Sequence, residues 1–169
     1  MSERIPPAPS PPGGDLSSPE ASVRAAAAEA LANDAERARG VVPALVRACG
    51  DQDDRVREWV VAALESSGEP PTEALPDLIG LVGATEALVA YWATTLLGRC
   101  GAGAAAAVPA LAARLAAGTP IEVRQRAAWA LGAIGKAAAP ARTALEEAAR
   151  DADPRLSRLA GAALAALDA

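Results

Sequence analysis

The chain is expected to be all-α: a right-handed α-solenoid of antiparallel helix pairs with about four and a half repeats. Three observations lead there. Val23-Arg24 returns as Val56-Arg57, Val89-Ala90, Val123-Arg124 and Leu156-Ser157, at offsets of 33, 33, 34 and 33 residues. Leu31, Leu64, Leu97, Leu131 and Leu164 recur at the same offsets, and Leu45, Leu78, Leu111 and Leu145 each follow one of them by 14 residues. Hydrophobic residues make up 51% of the chain but aromatic residues only 2%, so the apolar content is mainly Ala, Leu and Val. Ala is the best helix former. A helical pattern with a period near 33 describes stacked helix pairs that bury their faces on one another rather than in one large core.

Residues 1–19 are rich in Pro, Gly and Ser and are expected to form a tail, with the repeat domain spanning 20–169. The helices carrying Val-Arg are named helix B and those carrying Pro-x-Leu helix A. Helix B of the first unit, near 20–33, starts at Ser18-Pro19, which offers a cap followed by proline at the first helical position. No helix A is expected before it, so its apolar flank should be left uncovered. Helix A near 38–49 carries Pro43 two residues before Leu45 and ends at Gly50. Helix B near 54–66 follows Asp53 and closes at Gly68. Helix A near 72–82 repeats the pattern with Pro76 and Gly83, and helix B near 86–99 closes at Gly101. Helix A near 104–117 carries Pro109 and ends at Gly118. Helix B near 121–134 is introduced by Thr119-Pro120-Ile121-Glu122, the spacing of a capping box, and closes at Gly135. Helix A near 138–150 has Thr143 in the proline slot, with Pro140 earlier. Helix B near 154–167 starts at Asp153-Pro154. The turn at Ala117-Gly118-Thr119 holds one extra residue, which should bend the superhelix locally.

Val41-Val42-Pro43-Ala44-Leu45, Asp53-Asp54-Arg55-Val56-Arg57 and Ala62-Ala63-Leu64 resemble the HEAT repeat, in its short form often called the PBS-lyase HEAT-like repeat. Ala107-Val108-Pro109-Ala110-Leu111, Val123-Arg124 and Ala130-Leu131-Gly132-Ala133-Ile134-Gly135 resemble it more closely still. The resemblance covers residues 20–168 and implies a fold, with helix B lining the concave side, more than a function. Ala90 and Ser157 replace the arginine of helix B, so a polar ladder along the array should be interrupted.

At 100° per residue, positions +3, +4, +7, +8 and +11 cluster with the Val of each helix B, whereas +2, +5, +6 and +9 point away. The second set should form the binding stripe. It is acidic at Glu29, Glu58 and Glu65, which suit a basic peptide, and turns polar and aromatic at Tyr91, Thr95, Gln125 and Trp129, with Arg158 in the last unit. An aromatic pair on a surface of small residues is a typical anchor; packing of one or both against neighbouring turns is the alternative. Trp59 and Trp92, both at +3, are expected in inter-repeat packing. Cys49 and Cys100 read as small core residues.

The net charge is −5 and the only lysine is Lys136. Duplex binding needs clustered cations, so no nucleic-acid partner is expected. An alkylpurine glycosylase of this architecture would need a basic groove, and the stripe has Arg158 against three glutamates. There is no His, which removes His-based catalysis and His metal sites, and no Walker or dinucleotide motif is present. No catalytic residue, metal or cofactor is expected. No membrane span or signal segment is expected, and two cysteines without metal-like spacing suit a reducing cytoplasm. Near-exclusive use of Arg over Lys suggests a bacterial source. The function expected is a non-enzymatic module binding a protein or peptide on its concave helix-B surface, as a monomer or weak dimer. The alternative is a bilin lyase-like, pigment-handling subunit, which rests on the PBS-lyase resemblance alone.

Overall fold

The computed structural model describes residues 14–169. They form ten α-helices: α1 (Ala21–Ala32), α2 (Ala35–Gly40), α3 (Val42–Ala48), α4 (Asp54–Ser66), α5 (Leu75–Leu81), α6 (Ala87–Arg99), α7 (Val108–Ala113), α8 (Ile121–Ile134), α9 (Arg142–Ala148) and α10 (Pro154–Asp168). There is no strand among the described residues. The long helices α1, α4, α6, α8 and α10 are the helix-B series and make one layer; the short helices make the other. The molecule is an α-solenoid.

Each expected helix A is broken in two. In the first unit it becomes α2 and α3; in the next three a 3-10 stretch (Thr72–Ala74, Gly101–Ala107, Gly135–Ala141) leads into α5, α7 and α9. Pro43, Pro76 and Pro109 sit in the first turn of α3, α5 and α7. Proline has no N–H to give and its ring crowds the preceding turn, so a new helix starts there. Helix B has no such proline and runs unbroken.

Val56, Val60, Ala63 and Leu64 of α4 are fully buried, as are Leu96 and Leu97 of α6 and Val123, Ala127 and Leu131 of α8. The second leucine row, Leu45, Leu78, Leu111 and Leu145, closes the core from the short-helix layer, each at 0% exposure. Gly68, Gly101 and Gly135 take positive φ and let the chain turn out of the long helices. Gly50, Gly83 and Gly118 end the short helices without it. Asp53 and Asp153 cap α4 and α10 through their carboxylates. The capping box expected at Thr119 does not form: Pro120 holds the cap position of α8, with no side-chain bond. At α1 the cap position is Glu20, and Ser18 Oγ accepts from its N–H.

Of the expected Pro-rich tail, residues 1–13 lie outside the described residues. Its last part differs from expectation, because Gly14–Ser17 form a turn of 3-10 helix and Leu16 is buried. Leucine is the one large apolar side chain in that stretch, and it closes against α1 and α3.

The long helices pack side by side in register, α1 on α4, α6 on α8 and α8 on α10, but the backbones of α4 and α6 stand farther apart. A polar rung accompanies two of the close seams. Arg24 forms a two-pronged pair with Asp51, with Nε–Oδ2 at 2.6 Å and Nη2–Oδ1 at 2.9 Å, and Arg124 pairs with Asp151 at 2.7 Å. In both cases the aspartate also accepts the N–H of the aspartate two residues on, at 2.9 Å. Arg57 has Ala84 where this spacing would place the acid, and instead bonds the Asp51 carbonyl and Asp54. The interruption expected at Ala90 leaves the close α6–α8 seam without its arginine, and the wide seam lacks the acid instead. Arg99 bridges that seam, donating to the carbonyls of Leu64 at 2.9 Å and Gly68 at 3.1 Å while lying over the Trp92 ring.

Candidate partner-binding face

The accessible stripe on the long helices is not the one the simple wheel gives. Position +5 is fully buried at Ala28, Thr94 and Ala128, because the next long helix packs on it. In α4, α8 and α10, positions 0, +4 and +7 face the preceding long helix. What remains open is −1, +2, +3 and +6, which is rotated by about 60° at 100° per residue. The wheel of a single helix cannot show a lateral neighbour; the side-by-side stacking supplies it.

This displacement sorts the expected site residues. Tyr91 and Gln125 at +2 and Trp129 at +6 are half-buried and open to this face. Thr95 is withdrawn from it: the residue is 5% exposed and its hydroxyl donates to the Tyr91 carbonyl at 2.8 Å. It lies under the contact of α8 on α6, where it satisfies its polar group within its own helix. Glu58 and Glu65 are exposed on α4, and Arg158 is exposed on α10. None of these three lines the cleft around Tyr91 and Trp129. Glu58 lies beside Val61 and Leu88 in the shallow groove at the wide seam.

The structure adds Arg126, which the wheel placed at the edge of the packed face. Its guanidinium lies over the Tyr91 ring at 4.6 Å and the Trp129 ring at 5.2 Å, and it donates to the Tyr91 hydroxyl. Cation–π attraction of this kind fixes both rings against one another. Tyr91 also meets Trp92 edge to face at 5.9 Å. Trp129 rests flat on α6 because Gly98 has no side chain: a Cβ there would lie 2.9 Å from Cε3 of the indole. Gln125 is held by Asp153, its Nε2 donating at 2.9 Å. The Asp153 carboxyl is kept below the ordinary carboxylate value by the Leu156 N–H first and by Gln125 second. Tyr91, Gln125, Arg126 and Trp129, with Glu122 and Arg155, border a cleft of about 200 Å³. Its chemistry is two aromatic faces, two guanidinium groups and one carboxylate.

Trp59, expected in packing, is 36% exposed at +3 of α4, on the same face. Its charged neighbours Arg57 and Glu58 were the available sign that this turn meets solvent. Trp92, in the same slot of α6, is 6% exposed, as expected. Cys49 is buried and Cys100 half-buried. Burial pushes the Cys49 thiol up to about 12; burial and then Glu69 push Cys100 to about 11. Both thiols are protonated at neutral pH, which makes them poor nucleophiles. Among the described residues no group of three His, Cys, Asp or Glu is placed to hold a metal, and no helix is long and apolar enough to cross a membrane.

Residues 15–98 match the family profile of HEAT repeats. No curated protein sequence matches the chain. Among solved structures, a designed armadillo repeat protein in complex with the peptide (KR)4 is similar at a TM-score of 0.67 and 21% identity, over 92% of this chain and 80% of that one. An engineered protein is similar at 0.62 and 23%, over 92% and 77%. The CpcE–CpcF complex of phycocyanin lyase from Nostoc sp. PCC7120 is similar at 0.66 and 23%, over 99% and 70%. At these identities the likeness is one of fold. The profile match shows that residues 15–98 carry HEAT repeats, and the same repeat register and helix order continue to the end of the chain.

Proposed function

We propose that this chain is a non-enzymatic interaction module that holds an extended protein or peptide segment along the open face of α4, α6, α8 and α10. The observation that carries the reading is the Tyr91–Arg126–Trp129 stack beside its cleft. Rigid aromatic groups next to an arginine are the usual composition of a binding anchor. At every seam but that of α4 and α6 the long helices pack closer together than the short segments do, which favours this face as the inside of the bend. Glu58 and Arg155 at its two ends suit a segment with basic residues towards α4 and an acidic residue towards α10. The designed armadillo protein, of the same general architecture, has a basic peptide as its partner.

The test is selection of displayed random peptides on the wild-type chain, followed by titration of the selected peptides. Tyr91→Ala with Trp129→Ala should weaken them by about 2 kcal/mol, roughly thirtyfold. Equal binding to wild type and to a folded double variant would move the site elsewhere.

The likeness to the phycocyanin lyase complex favours a second reading, a pigment-handling subunit. Its measurement is a visible-absorbance titration with a linear tetrapyrrole. A red-shifted, saturable band would support it, and an unchanged spectrum would remove it. The protonated state of both thiols weighs against covalent capture of the pigment by this chain.

A further inference from the structure

The three close seams between long helices follow one rule, and the two outermost long helices among the described residues carry complementary unfilled halves of such a seam. Positions 0, +4 and +7 are at most 4% exposed in α4, α6, α8 and α10, beneath the preceding long helix in α4, α8 and α10 and towards α3 in α6. In α1 the same positions are Val23, Ala27 and Ala30; Val23 is 41% exposed, Ala27 half-buried and Ala30 exposed. With Ala26 and Leu31 they floor an open hollow whose rim carries Asp15, Ser22 and Arg37. On the other side, +5 is buried in α1, α6 and α8 beneath the following helix, whereas in α10 Gly161 at +5, Ala162 at +6 and Ala165 at +9 are all exposed. These small residues are what the trailing side of a filled seam uses: α1 presents Ala28 and Ala32 to α4, and α8 presents Ala128 and Gly132 to α10. At Gly132 the approach is so close that a Cβ would lie 3.2 Å from the Ala163 Cα.

We propose that a second copy of this chain fills both halves, α10 of one copy packing on α1 of the next in the register of the internal seams. Charge supports the assignment at one defined pair. The α8–α10 seam is fixed by Gln125 donating to Asp153. One unit further along, Arg158 stands in the slot of Gln125, and the Asp153 slot of the next copy is Glu20. Both are exposed, and Arg158 makes no hydrogen bond or ion pair among the described residues. In the proposed contact the guanidinium of Arg158 meets the carboxylate of Glu20 from the neighbouring copy, while Ala165 faces Ala30 as Gly132 faces Ala163 within one copy. The contact is head-to-tail, so each copy keeps one unused half, and assembly continues until a ring closes or an open helix grows. The open face carrying Tyr91 and Trp129 takes no part, and the proposal stands or falls independently of the peptide-binding reading.

Sedimentation equilibrium of the full chain over a wide concentration range tests it. Wild type should show an average mass that rises past the dimer. Ala30→Glu and Ala165→Glu each block one half at an exposed helical position, and circular dichroism checks that both remain folded. Each alone should be monomeric, and an equimolar mixture should give one-to-one pairs that grow no further, since each variant brings one intact half. Arg158→Glu should weaken assembly at least tenfold, and adding Glu20→Arg to it should restore most of the loss. A wild type that stays monomeric throughout overturns the proposal. So does an Ala165→Glu variant that still dimerises, which would pair α1 with α1, or a mixture that remains monomeric.

Discussion

At the residue scale, two glycines in long and short helices separate the two consequences of lacking a side chain. Gly98 makes room for Trp129, so Gly98→Ala must displace the indole and, with it, Arg126 and Tyr91. Overpacking of this kind costs about 1–3 kcal/mol, and urea unfolding should show that loss together with weaker peptide binding. Gly80 lies near the end of α5 with open space around its Cα. Gly80→Ala should therefore stabilise by about 0.5–1 kcal/mol in the same measurement, because only the conformational entropy of the unfolded chain changes. That Tyr91, Gln125 and Trp129 share one cleft was legible, because aromatic and amide side chains stand out on a surface of alanines. Arg126 was not, because its role comes from stacking on Tyr91, which is 35 residues away. Thr95 shows the converse: a polar residue that the wheel turns outward is silenced by a neighbour helix and bonds its own backbone.

At the element scale, the polar rungs set the acid response of the array. Arg24 holds the Asp51 carboxyl below its ordinary value of 3.8; for Asp151 the Asp153 N–H is the larger cause and Arg124 the next. A carboxyl whose value is lowered by folding contributes stability that is present above its unfolded value and lost as pH falls through the folded one. Thermal unfolding followed from pH 7 downward should therefore stay level until about pH 4 and then decline steeply. Asp51→Asn and Asp151→Asn should each lower stability at pH 7 and flatten that decline. Helix positions in this layer were legible because the Leu and Val rows have a fixed period. The breaks in helix A do not follow from the same rows, although Pro43, Pro76 and Pro109 mark three of the four; in α9 the slot holds Thr143. The wheel weighed apolar spacing and gave the missing N–H of proline no weight. Likewise Thr119 carried the letters of a capping box, but Pro120 took the cap position and turned the threonine away.

At the scale of the whole molecule, the seam between α4 and α6 divides the array. The two flanking arms are continuous stacks of long helices, while the seam itself relies on α3, Trp92 and the reach of Arg99 to the end of α4. In a repeat protein, stability is close to a sum over units and their interfaces, so a weak interface sets where cooperativity fails. Arg99→Ala should cost about 1–3 kcal/mol. Native-state hydrogen exchange of that variant should then show residues 21–66 opening at a lower free energy than 87–168; uniform opening would mean that the seam couples as tightly as the others. The period gave no sign of this division, since the offset across it is the same 33 residues as on either side. Only the loss of an acid at Ala84 marked it in the sequence.

The three tryptophans stand in three different surroundings: Trp59 in solvent on the first arm, Trp92 enclosed at the seam, and Trp129 stacked beside Arg126 on the second arm. Each arm and the joint between them thus carries its own built-in optical probe. Emission from Trp59 should lie at long wavelength and be open to quenching by iodide. Trp92 should emit to the blue and be shielded, and Trp129 should change colour when a segment settles over it. Single Trp→Phe replacements would let light alone report which part of the array has moved, with no label attached.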